Sequence, residues 1–577
     1  MDNGNDKKIS VTNCAEALVW IDIAPLGARA KRDVRSAIET SCKWFGETPD
    51  SVPFDPIALR RLYKTVSPGG CGVTKKRFAN VKSSVNHVLK LIGFTTPCQP
   101  LSKMWQEHLI SIDKNYDRLL LTRFGRYCSQ CGIEPTDVDD DTANSFLISL
   151  QNQLRVGKPN NVHRKTIRMW IRMTSTLSSW PTNELTLPSY SKTYTLPWSA
   201  FHPDFVADVE NYISKKITDD PFDLSAPIVA LEKSSADTYK DRIKRFASCL
   251  VLTGTHVSTI QSLSDLVDME AIERGLRYLA NERNAKALAG IIAFNLATIS
   301  RDYVKRPEAE GKAIASIAAR LLKKRRGLAP KVRERLLPLK HEANLAKLFL
   351  LPIQLTRTLN RKQKIGVSDA QMFQRSLALA ILTVCPLRIK TLCSLRIDRH
   401  LRWSGVGMKG ALMIEFAPDE LKNDDPASMP IPKDVANLIR IFFTRFRPLL
   451  EPNGSPFLFC GKFPDRPRDA QGLSGQITQL TFVKLGFPVN PHLYRHIVHL
   501  VVLRKFPGAY ALVARILTHR SIATTIQNYS HFDGEIAMAA FQRMVEDVQF
   551  GGRCRNDTDL AAIAVDLDQD HSSNDRR

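Results

Sequence analysis

The chain has 577 residues, 43% hydrophobic and 24% charged, with a formal net charge of +24 and a pI near 9.6. That length exceeds one ordinary core and points to roughly two to four domains. No apolar run approaches the ~20 residues that span a bilayer, and the first residues, MDNGNDKKIS, lack the apolar core of a secretory signal, so a membrane-spanning or secreted protein is not expected. The charge surplus favours a polyanionic partner, nucleic acid ahead of an anionic membrane surface, because each phosphate neutralised by Lys or Arg releases a counterion and no basic amphipathic anchor is evident.

In chain order the pattern is helical nearly throughout. Residues 27–95 hold short helical patterns broken by the turns SVPFDP and SPGGCG. One of them, KKRFANVKSSVNHVLKLIG, is basic at its start and places Phe78, Val81, Val85, Val88 and Leu89 on one helical face. MWQEHLISIDKNYDRLLLTRFGRYCSQCG follows, then PTDVDDDTANSFLISLQNQL, with acids and Thr142 where a helix start wants them. The 11 cysteines are scattered, and Cys128 and Cys131 form a lone CxxC with no second pair. All read as reduced thiols rather than a disulfide or zinc framework. Residues 181–203, rich in Pro, Ser and Thr, read as linker. SADTYKDRIKRFASCLVLTG is again a basic, aromatic-bearing helix ending at Gly254, followed by the capped pattern SLSDLVDMEAIERGLRYL. The two front-end modules look like a weak internal repeat. Residues 301–340 are rich in basic residues, including KKRRGLAPKVRER, which reads either as a solvated helix face or as phosphate contact.

Chemistry-bearing residues concentrate toward the C-terminus. AQMFQRSLALAILTV, residues 370–384, is an apolar helix that stops at Cys385-Pro386, since proline disfavours helix at the residue before it. Leu387-Arg388 comes next, then IKTLCSLRID, which can start another helix. An arginine beside an apolar helix pair is costly unless it meets an anion. LMIEFAPDELKNDDPASMPIP alternates around a polar turn as a β-hairpin does, with Lys422 near the tip. Then stand His492-Leu-Tyr-Arg495-His496, Leu517-Thr518-His519-Arg520, and TTIQNYSHF with Tyr529.

This ordered set resembles the catalytic domain of the tyrosine recombinase (phage integrase) family over about residues 365–535. Position by position, Arg388 matches the first catalytic arginine, His492 and Arg495 the H-x-x-R motif, His519 the histidine of the L-G-H turn, and Tyr529 the nucleophile. Lys422 matches the hairpin lysine, with Lys409 and Lys433 as neighbours in the same region. Two departures stand out. Thr518 occupies the usual glycine position, and Tyr529 follows His519 by ten residues where nine is commoner; one residue on a helix is a rotation of about 100°.

The residue types suit the implied reaction. A tyrosine that keeps the phosphate as a covalent ester makes strand cleavage reversible. Two arginines and a histidine can hold the charge that develops on the nonbridging oxygens. A lysine can protonate the departing 5′ oxygen. No metal or other cofactor is expected, and there is no GxxxxGK[ST] loop for ATP. Taken singly, each residue has a plainer reading: Arg388 as a helix-end arginine, His519 as a turn histidine, Tyr529 as a core tyrosine, and His492 with His496 as an i, i+4 metal pair lacking the glutamate of HExxH.

The resemblance implies a mainly α multidomain protein, with helical SAM-like DNA-binding modules ahead of an α+β catalytic domain with a small antiparallel sheet. The expected organisation is 1–100, an N-terminal helical region available for DNA binding; 101–180, a core-binding-like helical module; 181–225, a linker; 226–340, a second such module; 341–550, the catalytic domain; and 551–577, a polar, acidic, disordered tail. Lys323, Lys324, Arg325, Arg326, Lys240, Arg242, Lys244 and Arg245 are candidate DNA contacts. The implied function is site-specific cutting and rejoining of double-stranded DNA, by a tetramer on two sites in the bacterial cytoplasm, at the nucleoid, as part of a mobile element. Accessory recombinases or DNA-bending proteins are candidate partners, and FDGEIAMAAFQRMVEDVQF is a candidate docking helix. The rival outcomes are a type IB topoisomerase-like or telomere-resolving enzyme, and a catalytically silent DNA-binding regulator.

Overall fold

The structure is a computed structural model that describes residues 11–94, 100–190, 194–220, 222, 229–322, 328–421, 426–451, 454–461, 463–518 and isolated positions between 522 and 545. Among the described residues it is mainly α-helical with one small antiparallel sheet, the fold class expected. The chain divides into two compact units, residues 189–325 and the remainder.

The larger unit begins with α1 (Cys14–Ile23), α2 (Ala28–Phe45), α3 (Pro56–Thr65) and α4 (Lys75–Leu91). The helical face read from the sequence closes this core: Val81, Val85, Val88 and Leu89 are buried, and Phe78 stacks on Trp44 with ring centroids 4.9 Å apart. Next come α5 (Lys103–Ile110), α6 (Asn115–Cys131), α7 (Asp140–Gln151) and α8 (Pro159–Thr176), around Trp105, Phe124, Phe146 and Trp170. Asp139 caps α7 by accepting from the Thr142 N–H at 2.7 Å.

The SPGGCG turn after α3 reaches into the C-terminal part of the same unit. Gly69 N–H donates to Val483 O at 3.0 Å, and a Cβ on Gly69 would lie 2.1 Å from Lys484 O. Only glycine permits that approach.

The smaller unit holds α9 (Pro203–Ile217), α10 (Lys233–Leu252), α11 (Met269–Arg277), α12 (Lys286–Thr298) and α13 (Glu308–Leu321). The stretch 181–225, expected as a linker, therefore carries a helix. The Pro/Ser/Thr bias ends where Pro203 starts α9, and Phe205, Val209, Tyr212 and Ile213 return to helical spacing and are buried. Asp208 ties this helix down: its carboxylate accepts from Leu263 N–H at 2.8 Å and from Tyr303 Oη at 2.6 Å. The unit's boundaries, 189 and 325, differ from the expected 226–340 because α9 belongs to its core, while Leu336 and Leu339 belong to the core of the larger unit.

The larger unit resumes with α14 (Pro330–Leu336), α15 (Glu342–Asn360), α16 (Val367–Val384) and α17 (Ile389–Cys393). The strands follow: β1 (Leu401–Gly405), β2 (Lys409–Phe416) and β3 (Ala427–Ile431). It closes with α18 (Lys433–Ile441), α19 (Ala470–Leu485), α20 (Pro491–Lys505) and α21 (Tyr510–Ile516). α16 is the central core helix, buried from Ser376 through Leu382 and packed on α15, α18, α19 and α20. The expected hairpin is present. β2 pairs antiparallel with β3, Leu412 opposite Ile431 and Phe416 opposite Ala427, and with β1 on its other edge. Leu412, Ile414 and Phe416 alternate inward, the period-two signature of a sheet with one face on the core.

Candidate active site

α16 stops where the sequence says it must. Cys385 N–H makes the last helical bond, to Ile381 O at 2.6 Å, and Pro386 turns the chain away. Arg388 sits at the N-cap of α17, half-buried. Burial lowers its pKa, and among the described residues no group hydrogen-bonds or ion-pairs with its guanidinium. A partly desolvated guanidinium of this kind is disposed to meet an incoming anion.

α20 places the H-x-x-R-H motif in its first turns. Asn490 caps the helix by accepting from Leu493 N–H at 2.9 Å, and Pro491 occupies the first turn. Arg495 is 5% exposed. Its Nη1 donates to Pro386 O at 2.9 Å and its Nη2 to Leu517 O at 2.6 Å. One guanidinium thus ties α20 to the loop before Arg388 and to the turn before His519. His499 Nδ1 lies 3.0 Å from Arg495 O one turn on.

His492 is exposed at the start of α20, its ring 5.0 Å from that of His496 in an edge-on pair. The protein mass around it lowers its pKa, and the Arg495 and Arg388 charges add to this. His492 therefore lies in the electrostatic reach of both arginines. His496 is buried, which pushes its pKa down to about 4, with His492 and Arg495 contributing. Both imidazoles are neutral at pH 7 by this account. Tyr494, the tyrosine inside the motif, is buried and its pKa is raised by burial, so it is no candidate nucleophile.

The turn after α21 carries the departure at the glycine position. Thr518 has φ +51°, the left-handed region that glycine occupies without strain. Its Oγ1 donates to Leu517 O at 2.7 Å. Threonine has kept the backbone conformation the turn requires rather than abolishing it.

Arg388, His492 and Arg495 are thus brought together. His519, Lys422 and Tyr529 lie outside the described residues, as do Lys323, Lys324, Arg325, Arg326 and most of the expected C-terminal docking helix. The described approach to Lys422 is pinned: His400 is buried, accepts from Arg396 N–H at 2.8 Å, and has its Nε2 2.9 Å from Glu420 Oε1. Lys409 opens β2 and Lys433 opens α18, both exposed. In the smaller unit, Lys240 ion-pairs with Glu210 and Arg245 with Asp241 at 2.6 Å. Lys240 and Lys244 lie 5.5 and 5.4 Å from the Trp198 ring centroid, and Arg242 lies 5.8 Å from that of Tyr239. The carbonyls of Pro386 and Leu517 are positioning groups that sequence reading missed, since neither side chain advertises the role. Among the described residues no group of three or more His, Cys, Asp or Glu is placed to hold a metal ion. None of the described helices is long and apolar enough to cross a membrane.

No protein-family profile and no curated protein matches the chain. Solved structures to which it is similar include that of XerA recombinase, at 14% identity and TM-score 0.24, covering 61% of this chain and 99% of that one. Others are XerH site-specific recombinase bound to difH substrate before cleavage, at 14% identity and TM-score 0.31 over 75% and 95%, and bound to palindromic difH after cleavage, at 12% and 0.33 over 74% and 97%.

Proposed function

We propose that the chain is a tyrosine recombinase that cuts and rejoins duplex DNA site-specifically. The observation that carries this reading is Arg495. It bonds Pro386 O, 109 residues away, and Leu517 O, 22 residues away, and so gathers three motif segments around one buried guanidinium. An arrangement that spends a buried arginine on two backbone carbonyls fixes where its neighbours point.

In this reading the scissile phosphate enters beside Arg388. Arg388 and Arg495 hold the nonbridging oxygens, with His492 and His519 adding donors, so charge developing in the transition state meets fixed donors. Tyr529 Oη attacks phosphorus, its proton leaves, and the strand's 3′ end is kept as a phosphotyrosine ester. Lys422 gives a proton to the departing 5′ oxygen. The reverse path rejoins the strand, with the ester bond conserving the energy, so neither metal nor ATP enters. The basic front end binds the duplex, and a tetramer on two sites exchanges strands.

Arg388 tests the phosphate clamp. Arg388→Ala should slow cleavage of a nicked duplex by on the order of a hundredfold or more, the scale of losing one preorganised donor. Arg388→Lys should recover little, because lysine lacks the planar fork. Full-rate cleavage by Arg388→Lys would contradict the proposed clamp.

A further inference from the structure

A cavity of about 390 Å³ opens between α16, the loop that precedes α19 and the first turns of α19, and none of the motif residues lines it. Its wall includes Gln371, Gln374, Arg468, Asp469 and Gln476. Gln374 is fully buried on the core face of α16, next to Phe373 and one turn before Leu377 and Ala378. Its Oε1 accepts from Arg468 Nη1, while its Nε2 is buried with no hydrogen-bond partner. Leaving such a donor unmet carries its full desolvation penalty, so the position calls for an acceptor that the described residues do not supply.

Arg468 is held in place. Its Nη2 donates to Gln476 Oε1 at 2.7 Å and its backbone N–H to Phe459 O at 3.1 Å, and the loop is pinched by the antiparallel bridge between Cys460 and Pro467. Among the described residues no carboxylate ion-pairs with Arg468 or with Arg375, whose charge lies close enough to be felt by Arg468. Asp469 is the nearby acid, and it is occupied in capping α19, accepting from Gly472 N–H at 2.6 Å. The cavity therefore brings together a rigid guanidinium, a second positive charge near it, and a neutral donor with nothing to bond among the described residues.

We propose that this cavity is an oxyanion site that takes a phosphate group, with Arg468 as the charge-assisted donor and Gln374 Nε2 as the neutral one. The phosphate has two possible sources, the backbone of bound duplex or a free phosphate in solution. The site stands on its own geometry and does not depend on the recombinase reading.

The test uses the full chain with two probes, inorganic phosphate at constant ionic strength and a duplex oligonucleotide. If the source is free phosphate, calorimetric titration detects binding that Arg468→Gln weakens by about tenfold or more and Gln374→Leu by about fivefold, the scales of a charged and a neutral hydrogen bond. If the source is the duplex, Arg468→Gln lowers the slope of log affinity against log salt by about one. Gln374→Glu keeps the shape, places a carboxylate against Arg468, and should remove the effect in either arm. Circular dichroism matched to the unsubstituted chain shows that each variant is folded. The proposal is overturned if both probes behave alike with the unsubstituted chain and with folded Arg468→Gln and Gln374→Glu. A chain that binds no duplex at all would instead count against the recombinase reading, and the phosphate titration would still decide the cavity.

Discussion

Replacing Arg495 by methionine keeps the stem and removes the guanidinium. Among the hydrogen bonds lost are two from a charged donor, at 2.9 Å to Pro386 O and 2.6 Å to Leu517 O. Bonds of this kind contribute about 1.5–3 kcal/mol each, so the loss lies between about 3 and 6 kcal/mol. The lower end is expected, because deleting a buried cation also relieves its desolvation. The damage should be local. Cys385 and Leu387 N–H groups, bonded to Ile381 O and Cys385 O, and Leu517 and Thr518 N–H groups, bonded to Val513 O and Arg515 O, lie in the segments that Arg495 joins. Native-state hydrogen exchange reads these amides individually and avoids assigning one unfolding free energy to a multidomain chain. Arg495→Met should speed exchange at both segments together and leave the core of α7 and α8 unchanged. Exchange at 385–388 and 515–518 that stays at the level of the unsubstituted chain would refute the idea that this side chain holds them.

Two further expectations rest on individual residues. At Thr518 the left-handed backbone costs an L side chain about 1–2 kcal/mol, partly offset by its hydroxyl bond and by the extra chain entropy that glycine brings to the unfolded state; Thr518→Gly should therefore match or exceed the unsubstituted chain in thermal stability, whereas Thr518→Val, keeping the strain and losing the hydroxyl, should fall below it, and the reverse order would contradict the account. His496 has a folded pKa of about 4, below that of a free imidazole, so the unfolded chain takes the proton first as pH falls. Its stabilisation, about 3 kcal/mol, is complete above about pH 6.5 and is lost toward pH 4; urea denaturation at about pH 7 and about pH 4.5 should show a smaller acid loss in His496→Gln, and an equal loss in both proteins would remove His496 from the explanation.

Much of the fold is legible because its signals are local. Pro386 ends α16 by sterics alone, and the alternation of Leu412, Ile414 and Phe416 needs only period two. The capped start of α7 is written in Asp139 and Thr142. Other features depend on partners far apart in sequence. α9 hides behind a Pro/Ser/Thr-rich stretch, and only the spacing of Phe205, Val209 and Tyr212 separates it from linker. The Arg245 pairing with Asp241 was readable at i, i+4, whereas the Lys240 pairing with Glu210 across two helices was not. Gln374 and Arg468 stand 94 residues apart, and the only hint of their cavity was a glutamine at an apolar-face position of α16. Within the candidate site, the residue types were legible and the scaffold was not. The sequence carries Arg388 and Arg495, but that Arg495 gives one Nη1 and one Nη2 hydrogen to Pro386 O and Leu517 O, with its remaining N–H donors left for other partners, is a fact of packing.

The central claim is the tyrosine ester. A duplex nicked just beyond the cleavage position loses the short piece that carries the 5′ hydroxyl on cutting, so the covalent protein–DNA intermediate cannot be reversed and accumulates. Incubated with such a substrate carrying its cognate site, without metal or ATP, the full chain should form a denaturation-resistant adduct whose digestion and mass spectrometry place the nucleotide on Tyr529. Tyr529→Phe should bind the same DNA and form none. An adduct at normal yield in Tyr529→Phe, or one mapped to another residue, would contradict the account.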